Sequence, residues 1–372
     1  MQRRAEPDSV SSEAFPPLVG LIREAIERAG GWIGFDRYMA LALYAPGLGY
    51  YAGTGRKFGA LPSSGSDFVT APEMTPLFGR ALARQLAQAL AACGGDEVFE
   101  FGAGSGALAA QLLEALGGTL RRYSIVDVSG RLRARQRERL AAHGDRVRWL
   151  DAWPEALHGV SIGNEVLDAM PVQLLHWDGT RWFERGVALG GWHADFCWSD
   201  RPTALRPPLA AAFVPGTTIE LHAQAEAFVA SLGERLARGA AFFIDYGFPA
   251  AEYYHPQRTG GTLMCHRAHR ADTDPLADAG SKDITAHVDF SGIALAGQDA
   301  GLDVVGYTSQ ARFLLNCGLA GLLQDAPPRQ LAAAQKLLGE HEMGELFKVI
   351  GFARGCAFDP VGFTEGDRTH RL

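Results

Sequence analysis

Glu100 stands two residues ahead of three evenly spaced glycines, Gly102, Gly104 and Gly106, where a short apolar run meets an alanine- and leucine-rich stretch. Glycine tolerates a left-handed backbone and lets a ligand approach the main chain, while a helix start offers it unpaired N–H groups. A dinucleotide turn reads G-x-G-x-x-G, and the spacing here departs from it. A carboxylate ahead of the turn would repel a pyrophosphate but suits an ammonium group. About 20 residues on, the apolar run 123–126 ends in Asp127, the place from which an acid takes both ribose hydroxyls. These residues point to an adenosine compound with an ammonium and no phosphate, S-adenosylmethionine (SAM); the alternative is a tight strand-to-helix turn with Asp127 as a cap.

Other polar residues fall at the ends of apolar runs. Asp151 follows residues 147–150 and either accepts from an adenine amino group or begins a plain turn. Residues 160–163 lead into Asn164, Glu165 and Asp168, and residues 240–244 lead into Asp245 and Tyr246. In open α/β sheets ligands sit beyond the carboxyl ends of the strands, so these side chains are placed for chemistry. Asn164, Glu165 and Asp168 could instead cap the following helix, and Asp283, Thr285 and Asp289 look first like caps. His266, His269 and His287 lack metal-ligand spacing, so hydrogen-bonded histidines and no metal are expected.

The elements that must position these groups alternate. Residues 18–29 and 76–92 have helical periodicity, as do 107–116, 131–142, 223–238, 289–301, 313–322 and 328–338; residues 98–101, 123–126, 147–150, 160–163, 240–244, 302–308 and 346–353 read as strands. Such alternation predicts an α/β, Rossmann-like, parallel doubly wound sheet. We divide the chain into an N-terminal arm and lid (1–75), a SAM-binding core (76–357) with insertions at 172–221 and 248–288, and a C-terminal tail (358–372). The first insertion alternates aromatic and polar residues, as a hairpin layer would. Tyr50, Tyr51 and Phe68 read as lid packing.

With 372 residues, 47% hydrophobic, the chain can bury a large core, and its net charge of −7 without a long basic run argues against nucleic acid or an anionic membrane as partners. Five cysteines are scattered singly, so neither disulfides nor a thiolate zinc site is indicated. A reducing cytoplasm is the expected location, and a homodimer is compatible with the composition. No apolar run is long enough to span a bilayer.

Several stretches together resemble one family. Residues 43–51 (L-Y-A-P-G-L-G-Y-Y), 67–73 (D-F-V-T-A-P-E), 100–106, 164–171 (N-E-V-L-D-A-M-P), 244–247 (I-D-Y-G), 261–269, 283–290 (D-I-T-A-H-V-D-F) and 310–314 are similar, in order, to the MidA-like methyltransferases. These include the mitochondrial complex I assembly-factor protein arginine methyltransferase. Ser66 and Ala71 depart from the family's usual glycine and serine. The resemblance implies a class I SAM-dependent fold with a seven-stranded sheet, an inserted substrate lobe, and a protein or peptide substrate methylated on arginine. It adds Asp67 to the SAM-binding candidates Glu100, Gly102, Gly104, Gly106, Asp127, Asp151 and Asn164. For an arginine acceptor, two carboxylates would grip the guanidinium fork, which makes Glu165 and Asp168 the leading pair and Asp245, Tyr246 and His269 further candidates. The alternatives are a small-molecule O- or N-methyltransferase and a noncatalytic SAM-binding assembly chaperone.

Overall fold

Seven apolar strands, numbered along the chain, build the central sheet: β1 (Glu97–Phe101), β2 (Arg122–Val126), β3 (Val147–Leu150), β4 (Leu157–Asn164), β5 (Leu236–Phe248), β6 (Asp303–Ser309) and β7 (Phe347–Arg354). The structure is a computed structural model and describes residues 16–53, 70–127, 129–191, 195–267 and 270–372; Asp67, Phe68 and His269 lie outside the described residues. The strand order is β6-β7-β5-β4-β1-β2-β3, and the two-residue strand Val288–Asp289 adds to β5. Strands β1 to β5 pair in parallel. Phe242 and Phe243, neighbours on β5, enter different core clusters, so both faces of the sheet are covered. Helices Leu77–Cys93, Ala107–Leu116 and Pro328–Leu338 bury apolar residues in one of these clusters, Ala223–Arg235 and Phe290–Asp299 in the other.

One strand departs from the parallel sheet expected from the alternation. β7 runs antiparallel to both β5 and β6. Ser309, which ends β6, pairs with Lys348 near the start of β7, so the helices between them leave and re-enter at one edge of the sheet and never cross it. An apolar strand buried on both faces carries no mark of its direction. The helix expected over 313–322 is also two helices, Gln310–Asn316 and Leu319–Leu323, separated by Gly318 at φ 84°.

The N-terminal residues and both insertions form a lobe with its own core. Helices Pro17–Arg28 and Phe35–Tyr44 pack with a five-stranded sheet in which Ile33–Gly34 pairs with the inserted strand Trp182–Leu189. Tyr38, Leu174, Val187, Phe196, Cys265 and Ile284 share one buried cluster, which brings together the arm and both insertions. The second insertion adds a three-stranded sheet, Arg270–Asp272, Met264–Arg267 and Asp283–Thr285. Asp289 caps helix Phe290–Asp299 as expected, but Asp283 and Thr285 lie on a strand. At the other end of the chain, a Cβ on Gly306 or Gly351 would collide with the buried ring of Phe363, which packs across β6 and β7.

Candidate active site

A cleft of about 1030 Å³ opens at the carboxyl ends of the parallel strands, between the sheet and the lobe. On the sheet side, Gly102, Gly104 and Gly106 have φ values of 63°, 52° and 79°, in the left-handed region that favours glycine. They turn the chain from β1 into helix Ala107–Leu116 so that its first N–H groups border the cleft. Glu100 sits beneath them, 3% exposed, accepting from the Tyr123 hydroxyl at 2.8 Å. Burial pushes its carboxyl up to about 8.

Asp127, at the end of β2, accepts from the Ser129 backbone N–H and from Gln136 Nε2, both at 2.8 Å, and Gln136 also donates to the Gly104 carbonyl at 3.0 Å. The acid thus lines the cleft and fastens the glycine turn to helix Gly130–Arg139. Asp151 is not brought to the cleft wall. Its carboxylate is exposed and paired with Arg133, in keeping with the plain turn, and this part of the cleft is bounded instead by aromatic rings. Trp153 lies 4.6 Å from Phe101 and 5.0 Å from Phe228, centroid to centroid, and all three face the cleft.

Asn164, Glu165 and Asp168 line the cleft just past β4. Glu165 occupies φ 55°, a region that side chains other than glycine rarely enter, and its N–H donates to the Ile244 carbonyl at 2.8 Å. Asn164 Nδ2 donates to Glu165 Oε1 at 2.9 Å while Asn164 Oδ1 is buried without a hydrogen-bond partner. Burial, reinforced by the Asp168 charge, raises Glu165 to about 8. Asp168 rises to about 6 through burial, against the lowering effect of the Tyr246 hydroxyl beside it. These acids therefore do not serve merely as helix caps, because no helix follows β4 directly.

Asp245 plays another part. Its Oδ2 accepts from the N–H groups of Val166, Leu167 and Asp168 at 3.1, 2.9 and 3.3 Å, and it does not line the cleft. A carboxylate whose oxygen is surrounded by backbone donors fixes the shape of the loop that carries Glu165 and Asp168. It is fully buried beneath that loop, so the structure places it as a brace for the candidate acids and not on the cleft wall where a catalytic group was expected. Tyr246 does face the cleft, against His287 at 5.0 Å between centroids.

The lobe supplies another part of the wall with Tyr44, Tyr51, Met264, His266, Asp283, Thr285 and His287, none of which sequence reasoning placed in the site. Tyr51 donates to Asp283 Oδ1 at 2.8 Å, its carbonyl accepts from Ser129 Oγ at 2.9 Å, and its ring stacks 5.5 Å from Tyr44. Tyr44 donates to the Ala169 carbonyl at 2.8 Å, and the Asp168 carbonyl accepts from the Ala286 N–H at 2.9 Å. The lid is therefore bonded to both sides of the cleft. Also unread in the sequence was a bridge at the turn: Arg139 Nη1 donates to Ser105 Oγ at 2.9 Å and to Glu73 at 3.2 Å, and Ser105 donates to Glu73. No spacing rule connects residues 73, 105 and 139, so only the fold shows it. Among the described residues no group of His, Cys, Asp and Glu could hold a metal ion.

Residues 81–308 match the model of a family of S-adenosyl-L-methionine-dependent methyltransferases. The chain belongs to this family. A solved superfamily member from Burkholderia thailandensis, bound to S-adenosyl-homocysteine, is 53% identical, with a TM-score of 0.92 over 95% of this chain and 96% of its own. A second structure from Burkholderia thailandensis is 52% identical with a TM-score of 0.87. Among relatives, the mitochondrial protein arginine methyltransferase NDUFAF7 of Danio rerio is 27% identical over 88% of this chain and 85% of its own length. The Caenorhabditis elegans homologue is 25% identical over 92% and 89%. This methyltransferase uses SAM, as both the acid-glycine pattern and the MidA-like resemblance implied.

The cleft fits that cofactor on its own chemistry. Five carboxylates, Glu100, Asp127, Glu165, Asp168 and Asp283, line it, and among the described residues no lysine or arginine does. Such a wall receives an ammonium and a sulfonium and rejects a pyrophosphate. The turn is closely packed from behind: a Cβ on Gly102 would come to 3.0 Å from Val166.

Proposed function

We propose that this methyltransferase acts on the arginine side chain of a protein or peptide partner, with Glu165 and Asp168 as the groups that grip the acceptor. The carrying observation is the placement of these two acids, on a loop braced by Asp245, in a cleft lined by five acidic side chains and, among the described residues, by no lysine or arginine. The relatives from Danio rerio and Caenorhabditis elegans bear the name protein arginine methyltransferase, which supports the same reading. On the cofactor side, Glu100 would face the ammonium, Asp127 the ribose hydroxyls, the glycine turn the backbone of the ligand, and Trp153 with Phe228 the adenine. The five free cysteines fit a cytoplasmic location, and among the described residues no helix is long and apolar enough to cross a membrane.

SAM supplies a methyl group made electrophilic by its sulfonium, and the chain must aim a nucleophile at it and hold water away. Guanidinium keeps its proton in water because its pKa exceeds 12. Two carboxylates accepting from adjacent N–H groups fix the plane of the fork and draw positive charge toward themselves, which leaves the remaining nitrogen richer in electrons. Glu165, raised by burial to about 8, would take the proton that the methylated nitrogen releases once binding of the cation has ionised it. Asp168 stays ionised more readily, at about 6, and holds the orientation.

The test is incubation of host-cell lysate with labelled SAM and the protein, followed by mass spectrometry of the labelled species. We expect label on arginine, and loss of at least about a hundredfold in rate for Glu165→Gln, with S-adenosyl-homocysteine affinity retained. Label on an uncharged oxygen, or undiminished turnover in both Glu165→Gln and Asp168→Asn, would overturn the assignment.

A further inference from the structure

The sheet edge supplies two acids to the acceptor, and a third faces the same cleft from the lobe. Asp283 is 4% exposed and begins the strand Asp283–Thr285, which pairs with Met264–Arg267 so that His266 stands opposite it. Tyr51 donates to it, and its charge is felt at Glu165, where it raises the carboxyl further. Thr285, two residues on and 3% exposed, also lines the cleft, where its hydroxyl meets that of Tyr246. The buried Nδ1 of His287, another lining residue, has no hydrogen-bond partner. Buried polar atoms are ordinarily satisfied, and leaving one without a partner costs about 1–3 kcal/mol. Such an atom beside a buried acid on the cleft lining offers a ligand a polar contact.

We infer that Asp283, with Thr285 beside it, is the lobe's half of the acceptor subsite and selects guanidinium over ammonium. The inference rests on the arginine reading above. A guanidinium carries five N–H donors spread around a plane, and the carboxylates of Glu165 and Asp168 reach only those on one side. The outer edge of the plane needs a further acceptor, and Asp283 and Thr285 line the same cleft on a segment bonded to the Asp168 loop. An ammonium has three clustered donors, which two carboxylates satisfy, so a lysine gains little from a third acid across the cleft. Tyr51 would hold Asp283 in place, coupling the lid to acceptor choice.

The experiment uses the full chain with saturating S-adenosyl-homocysteine and three glycine-flanked peptides, carrying arginine, lysine or citrulline, titrated by calorimetry. The wild type should prefer arginine to lysine by about tenfold or more and bind citrulline least. Asp283→Asn, which keeps the shape and can still receive the Tyr51 bond, should lose about tenfold or more in arginine affinity and bring the arginine and lysine values together. Thr285→Val should weaken arginine alone. S-adenosyl-homocysteine affinity and melting temperature, measured on the same samples, should match the wild type and thereby separate acceptor loss from misfolding. If Asp283→Asn keeps the arginine preference while Glu165→Gln loses it, the lobe plays no part in selection and the arginine reading stands. If wild type and Glu165→Gln bind all three peptides alike, or bind none, both readings fall.

Discussion

Glu165 is held in a backbone region where glycine is at ease and other residues are strained by roughly 1–2 kcal/mol. Its carboxylate is also desolvated beside Asp168. Glu165→Gly should therefore raise the free energy of unfolding, by about 1 kcal/mol from the backbone alone, while abolishing transfer; urea denaturation and a labelled-SAM assay measure the two sides. The pH dependence has a definite sign. In the free protein Glu165 gains a proton below about 8 and Asp168 below about 6, with Asn164, Asp245, Asp283 and Tyr246 around them. A cationic acceptor needs both acids ionised, so binding must expel protons. Affinity for the arginine peptide should rise as pH climbs from about 5 to about 8 and level off above, with proton release visible by calorimetry in buffers of different ionisation enthalpy. Gly104→Val, at φ 52°, should weaken S-adenosyl-homocysteine by at least about tenfold by the same technique. What was legible at this scale were groups tied to local pattern: an acid before glycines, an acid after the next strand. Asp245 was legible as a strand-end acid but not as a bracket, because that role depends on where the backbone of Val166 to Asp168 comes to lie.

Among the elements, the strands and helices that carry the cleft could be read from apolar runs and caps. Strand β3 and helix Pro328–Leu338 coincide with their expected limits, and Ser129 caps the helix after β2 through Leu132 N at 3.3 Å. Direction was not readable, as β7 shows, since a sequence of buried apolar residues is the same in either sense. The residues after 357, expected as a tail, instead brace the edge of the sheet. Phe363 lies over Gly306 and Gly351 and meets Phe313 edge-on at 5.3 Å, while Asp367 accepts from the Tyr307 N–H at 2.9 Å. Phe363→Ala should cost about 3–5 kcal/mol in urea unfolding, the range for a buried aromatic truncated to a cavity. A loss under about 1 kcal/mol would mean that the ring caps the sheet without supporting it.

At the level of the whole molecule, a net charge of −7 and a cleft walled by acids create a field that draws in cations. Association of the arginine peptide should slow as salt rises from about 0.05 to about 0.5 M, whereas the citrulline peptide should be indifferent; stopped-flow measurement distinguishes them. The lobe was only half visible beforehand, since its sheet joins Ile33–Gly34 to a strand some 150 residues later, a pairing that no local periodicity announces.

That long-range construction bears on biosynthesis. Tyr44 and Tyr51 emerge early, the glycine turn follows, Asp283 to His287 come much later and Leu346 with Phe347 last, yet all border a single volume. No fragment released before residue 287 can have both walls. A growing chain therefore holds the glycine turn long before it holds the lobe's share of the cleft, and the cavity is whole only when nearly the entire sequence has been made.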